Sequence, residues 1–208
     1  MQMPKVKICG ITNLEDAINA AKLGADYLGF NFYKKSPRYI DEKKAKKIIE
    51  KMPNNVKKVG IFVNEELNNV ADIANKLNLD LVQLHGDEKP EYCKQLKDKS
   101  KKSIIKAFRI KNSRDIKNME RYNADFLMFD AHKEGMFGGT GKTFDWNLLK
   151  GINKPFFLSG GLNPKNVKEA IRTAKPYAVD AASGIEINPR KKDNKKMERF
   201  IEAAKSDT

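Results

Sequence analysis

Cysteine, histidine and tryptophan are scarce, with two, two and one among the 208 residues. Cys9 and Cys93 stand far apart with no histidine beside either, which excludes a disulfide framework and a cysteine–histidine metal site. Two histidines, His85 and His132, cannot build a multi-histidine centre, so no metal is expected. No apolar run approaches the roughly 20 residues of a membrane span. Met1–Ile8 alternates lysine with apolar residues and lacks the apolar stretch of a signal peptide. These absences imply a soluble, cytoplasmic chain with reduced thiols and no membrane partner. Acidic residues are also in deficit, 27 against 41 Lys+Arg, for a formal charge of +14. Alone, that excess would invite a nucleic-acid reading. The lysines, however, recur among periodic apolar residues in segments such as Asp41–Lys51 and Lys191–Lys205, as on ordinary solvated helix faces. No nucleic-acid partner is expected, and the charge serves to draw in a phosphorylated small molecule.

What is present is an alternation of strand and helix patterns. Short β-branched or aromatic runs occur at Lys5–Cys9, Tyr27–Phe32, Lys58–Val63, Leu81–His85, Ile104–Arg109, Phe126–Asp130, Phe156–Ser159 and Ala178–Ala182. Between them lie helical periodicities such as Leu67, Val70, Ala71, Ala74 and Leu77. Strand starts recur every 22 to 31 residues, close to the βα unit of a barrel near its minimum length. An open doubly wound sheet usually has fewer strands and often a Gly-rich first turn, and Cys9-Gly10-Ile11-Thr12-Asn13 has no such fingerprint. The pattern predicts an α/β fold, a single (β/α)8 TIM barrel spanning residues 1–208 as one domain.

In such a barrel the reacting groups sit where strands end. That rule selects Cys9, His85, Arg109 and Asp130, with Ser159-Gly160-Gly161 and Ser183-Gly184 after the seventh and eighth strands. Paired glycines let a ligand approach the backbone, and Asn163-Pro164 reads as the N-cap and first residue of a helix whose free N–H groups face an anion. The two loops together point to phosphate, although each alone could merely turn the chain. Cys9 is an inert small hydrophobe, or a base or nucleophile. Asp130 ends an apolar strand, so it is a partly desolvated general acid with a raised pKa, or it caps the following loop or pairs with a nearby lysine. His85 and His132 are packing residues or proton shuttles, and Arg38 is a surface charge or a bidentate carboxylate holder. Gly138-Gly139-Thr140-Gly141-Lys142-Thr143 ends like a P-loop, but Met136 stands where that motif needs glycine. A mobile loop able to cover the barrel mouth is expected there.

In order, the segments Lys7-Ile8-Cys9-Gly10-Ile11-Thr12, Gly29-Phe30-Asn31-Phe32 with Ser36-Pro37-Arg38-Tyr39, Gly60-Ile61-Phe62-Val63-Asn64, Val82-Gln83-Leu84-His85-Gly86, Gly138–Trp146, Leu158–Pro164 and Val179–Glu186 together resemble the phosphoribosylanthranilate isomerase family of tryptophan biosynthesis. The resemblance implies an Amadori rearrangement of N-(5-phosphoribosyl)anthranilate, an aldose–ketose isomerisation without cofactor. It implies Asp130 as the general acid that opens the furanose ring and Cys9, as a thiolate with a pKa near neutrality, as the general base at C2′. It also implies Arg38 as the residue facing the anthranilate carboxylate, and Gly160, Gly161, Ser183 and Gly184 as the phosphate site. Gln83, His85 and Asp180 are further pocket candidates, and a monomer or homodimer is expected. Ala182 stands where the family often has serine, which removes one hydroxyl from the phosphate site. The remaining alternatives are a barrel that binds the phosphorylated ligand without turnover and a nucleic-acid binder driven by charge.

Overall fold

A computed structural model describes residues 3–117, 119–131 and 143–206. His132 and the Gly138–Lys142 stretch, for which a shuttle and a covering loop were expected, lie outside the described residues. Eight parallel strands, β1 (Lys5–Cys9), β2 (Tyr27–Asn31), β3 (Lys57–Phe62), β4 (Leu81–Leu84), β5 (Ser103–Ile110), β6 (Phe126–Ala131), β7 (Phe156–Leu158) and β8 (Ala178–Ala181), pair in sequence order and close into a barrel. Closure is made by β1 on β8, with Lys5 opposite Ala178 and Ile8 opposite Ala181.

The helices that cover the barrel are α1 (Leu14–Lys22), α2 (Glu42–Ile49), α3 (Leu67–Lys76), α4 (Pro90–Ser100), α5 (Val167–Ala174) and α6 (Asn194–Lys205). Each buries a stripe at i, i+3, i+4 spacing, as Val70, Ala71 and Ala74 do on α3 and Val167, Ala170, Ile171 and Ala174 do on α5. The alternation expected from sequence breaks after β5, where 3-10 turns at Ser113–Ile116 and Met119–Arg121 replace a helix. Asn112 and Asp115 cap the first turn reciprocally, and such side chains compete with helix propagation by bonding the local backbone. Only Met119 in these turns is buried, so little apolar surface is present to hold a longer helix.

Two other expectations need correction. Lys191 and Lys192 do not begin a helix: they form β10 of a small antiparallel ribbon with β9 (Glu186–Asn188), and α6 starts only after Asp193 accepts from Lys196 N. Asn163-Pro164 does not open α5 either. Asn163 and Asn166 bond each other's turn, Asn163 N donating to Asn166 Oδ1 at 2.8 Å, and the helix begins one turn later with Asn166 as N-cap.

Alternation along the strands sorts the interior. Tyr27, Val59, Leu81, Ile105, Met128, Phe157 and Ala178 fill the lower barrel as one buried cluster, while the opposite faces pack under the helices. Stepping two or four residues up the same faces leads to Asn31, Gln83 and His85, Asp130, Ser159 and Asp180, with Cys9 beside them at the end of β1. The residues at the mouth are therefore those on the inward parity at the carboxyl ends of the strands.

Candidate active site

A cavity of about 340 Å³ opens at that end. Cys9, Arg38, Gln83, His85, Asp130, Asp180 and the loops Ser159–Leu162 and Ala182–Gly184 all line it, whereas Arg109 and Asn163-Pro164, also singled out by sequence, do not. Arg109 instead pairs with Asp87 beyond the cavity lining.

The carboxylate of Asp130 is 1% exposed. Its Oδ1 accepts from Ala131 N at 2.8 Å, and its Oδ2 lies 3.1 Å from His85 Nε2. The partner is thus a histidine and a backbone amide, and no lysine pairs with it among the described residues. Asp130 thus ends an apolar strand buried at the cavity, with a backbone amide on one oxygen and an imidazole nitrogen on the other.

Cys9 sits among charges the sequence did not bring together. Lys7, two residues earlier on the same inward face and fully buried, donates to Asp180 Oδ1 at 2.8 Å. Ser159 Oγ donates to Asp180 Oδ2 at 3.1 Å. From the other side Lys192 donates to the Cys9 carbonyl at 2.6 Å and to Glu186 Oε1 at 2.8 Å. A thiol pKa near neutrality is not what this setting produces. Burial pushes the thiol up from its ordinary value and Asp180 adds to that, while Lys7, Lys192 and Arg38 pull it down without cancelling the rise. Burial likewise opposes the Lys7 charge, but Asp180 and Cys9 hold that ammonium above the ordinary lysine range.

Arg38 is not a free surface charge. Its Nε and Nη2 donate to the two oxygens of Glu186 at 2.8 and 2.6 Å, a side-on fork, leaving the end edge formed by Nη1 and Nη2 for a ligand carboxylate. Its stem crosses Gly10, where φ is +78° and a Cβ would lie 2.5 Å from Arg38 Cδ, so glycine there is what lets the arginine lie against the mouth.

The two Gly loops touch each other. A Cβ on Gly184 would stand 2.0 Å from Leu162 O, so the β7 and β8 loops approach to backbone contact. Among the described residues the N–H groups of Gly161, Ser183 and Gly184 have no acceptor, and all three residues line the cavity, a backbone cradle fit for an oxyanion. Lys7, Glu186 and Lys192 were missed as site residues. Lys7 had a signal, its parity with Cys9; Glu186 and Lys192 belong to a ribbon too short to announce itself.

Over residues 6–203 the chain matches the family model described as N-(5′phosphoribosyl)anthranilate (PRA) isomerase. It is 46% identical over 206 residues to the N-(5′-phosphoribosyl)anthranilate isomerase of Thermotoga neapolitana, with 98% of this chain and 99% of that protein covered. The crystal structure of phosphoribosyl anthranilate isomerase from Thermotoga maritima superposes with a TM-score of 0.90 at 43% identity, over 98% of this chain and 99% of that one. A phosphoribosyl anthranilate isomerase crystallised with reduced 1-(o-carboxyphenylamino)-1-deoxyribulose 5-phosphate superposes with a TM-score of 0.87 at 41% identity, with the same coverage.

Proposed function

The chain belongs to the N-(5′-phosphoribosyl)anthranilate isomerase family, and on that premise we propose that Asp130 and Cys9 are the proton donor and proton acceptor of its reaction. The enzyme rearranges N-(5′-phosphoribosyl)anthranilate to 1-(2-carboxyphenylamino)-1-deoxyribulose 5-phosphate in tryptophan biosynthesis. The observation that carries the assignment is that Cys9 and Asp130 open into one cavity whose far wall is the pair of Gly loops.

Asp130 gives its proton to the furanose ring oxygen, the C1′–O bond breaks, and the aryl nitrogen becomes an iminium. Cys9 then takes the proton from C2′, the C–H pair moves into the C1′–C2′ bond, and the resulting enolamine tautomerises to the ketone. For these transfers Asp130 must carry a proton at ring opening and Cys9 must be the thiolate when C2′ is reached. The raised thiol pKa opposes the second requirement, and the iminium relieves the opposition. A unit charge about 4 Å from the sulfur at an effective dielectric near 20 contributes about 4 kcal/mol, or about 3 pKa units. The base is therefore favoured at the step that needs it. As written, these transfers call on no metal or nucleotide.

The end edge of Arg38 meets the anthranilate carboxylate, and the N–H groups of Gly161, Ser183 and Gly184, with Gly160 beside them, hold the phosphate. That remote binding aligns C1′ and C2′ between the two proton-carrying side chains. All these groups come from one chain, so the site is complete in a monomer and compatible with a homodimer. No described helix is long and apolar enough to cross a membrane, and the role assigned is that of a cytoplasmic biosynthetic enzyme.

The test follows loss of phosphoribosylanthranilate fluorescence with purified protein. Cys9→Ala and Asp130→Asn are each expected to lower kcat by about 10² to 10⁴ while the fold, checked by circular dichroism, is kept. Wild-type turnover in either variant removes the role assigned to that residue.

A further inference from the structure

Gln83 lies on the inward face of β4, two residues before His85, and is 1% exposed. Its amide nitrogen is 2.7 Å from His85 Nδ1, whereas its Oε1 is shut off from solvent and meets no donor among the described residues. An amide nitrogen can only donate. With that nitrogen against it, Nδ1 must accept, the single proton of a neutral imidazole belongs on Nε2, and Nε2–H donates to Asp130 Oδ2 at 3.1 Å. Ala131 N–H already occupies Oδ1. With one donor on each oxygen, a proton on Asp130 takes a remaining lone pair and cannot pass to His85.

The opposite tautomer would undo this. A proton on Nδ1 leaves Nε2 bare, and in water imidazole outcompetes a carboxylate for a proton. The acid would then be drained into its neighbour before reaching substrate. We propose that Gln83 is a positioning residue that holds His85 as the Nε2–H tautomer and thereby keeps the Asp130 proton available to the substrate. The proposal rests on Asp130 being the general acid, and it explains why a buried carbonyl has no partner among the described residues: only this orientation presents N–H to Nδ1.

The chain has only two histidines, so 15N spectra of histidine-labelled protein are readily assigned by comparison with a His132→Asn variant. In the wild-type spectrum the His85 ring is expected to carry its proton on Nε2 and none on Nδ1. Gln83→Glu puts an acceptor against Nδ1. It is expected to move the ring proton there or give the imidazolium, and to lower kcat about tenfold or more with a much smaller change in KM. Gln83→Met, which offers neither donor nor acceptor, is expected to give mixed tautomers and an intermediate kcat, and it keeps the test open should Gln83→Glu fold poorly. A wild-type His85 protonated on Nδ1, a Gln83→Met spectrum identical to wild type, or a Gln83→Glu protein with altered tautomer and undiminished kcat would each overturn the proposal. Asp130→Asn in the same assay separates the two ideas: full turnover there removes the acid assignment, whatever the His85 spectrum shows.

Discussion

Replacing Lys7 with methionine separates what the buried charges do for folding from what they do for the thiol. Lys7 is fully buried, Asp180 is 5% exposed, and their ion pair measures 2.8 Å. At an effective dielectric near 20 the attraction is about 6 kcal/mol, but desolvating the two ions costs several kcal/mol each, so the intact pair nets close to zero. Lys7→Met removes the attraction and leaves Asp180 buried with only the Ser159 hydroxyl. Stranding one member of such a pair costs about 3–5 kcal/mol, a large part of a total of about 5–15. At about 2–4 °C per kcal/mol for a chain of this size, Tm should fall by about 6–20 °C. Lys7 is also the strongest of the groups that pull the Cys9 thiol down, so its loss raises that thiol further. Alkylation by iodoacetamide at mildly alkaline pH should slow by about tenfold or more. Cys93 does not mask the signal, being fully buried, with burial pushing its thiol up to about 11. Lys7→Met/Asp180→Leu deletes both charges, and apolar replacement of a buried pair is often neutral or better. Calorimetry should therefore show Tm returning near wild type. Alkylation should recover in part, because Asp180 had opposed the thiolate. A Lys7→Met protein that melts within about 2 °C of wild type contradicts these pair energetics, and one that alkylates at the wild-type rate contradicts the electrostatics.

Two further outcomes follow from the loops and the ribbon. Gly184→Ala places a methyl where Leu162 O is 2.0 Å away, so the β7 and β8 loops must part by more than an ordinary thermal shift, at about 1–3 kcal/mol of strain. KM for the phosphorylated substrate should rise about tenfold or more, as expected when phosphate contacts are lost, and an unchanged KM would place the phosphate elsewhere. Burial raises the Glu186 carboxyl, but hydrogen bonds from Arg38 and the charge and hydrogen bond of Lys192 outweigh it and hold the group below the ordinary carboxylate range. A depressed folded pKa contributes stability that is whole above the unfolded value, about 4.5, and is lost as pH falls through the folded one. Urea midpoints should therefore be flat near neutrality and fall below about pH 4.5, with a shallower acid slope in Glu186→Gln; an acid slope as steep as wild type in that variant would show that Glu186 is not among the groups responsible.

Local pattern carried the barrel because period-two alternation is a property of neighbours. Knowing that Cys9 ends β1 on the inward face is enough to place Lys7 on the same face two residues below, yet lysine there reads as an ordinary solvated residue until Asp180 is brought across from β8, 173 positions away. Glu186 and Lys192 were hidden for a related reason: a ribbon of three residues against two is shorter than one helical period, so Lys191 and Lys192 read as the start of the helix that follows them. The thiol depends on those distant charges. Lys7, Lys192 and Arg38 against Asp180 and Glu186 leave one positive charge around Cys9, which a thiolate would neutralise. When a substrate carboxylate reaches the end edge of Arg38, that excess is cancelled and the thiolate loses its electrostatic support. On the proposed mechanism substrate binding then favours the resting thiol, and the iminium formed once Asp130 has acted as acid restores the missing charge. The order of proton transfers proposed above, acid first and base second, is the one that this charge count around Cys9 favours.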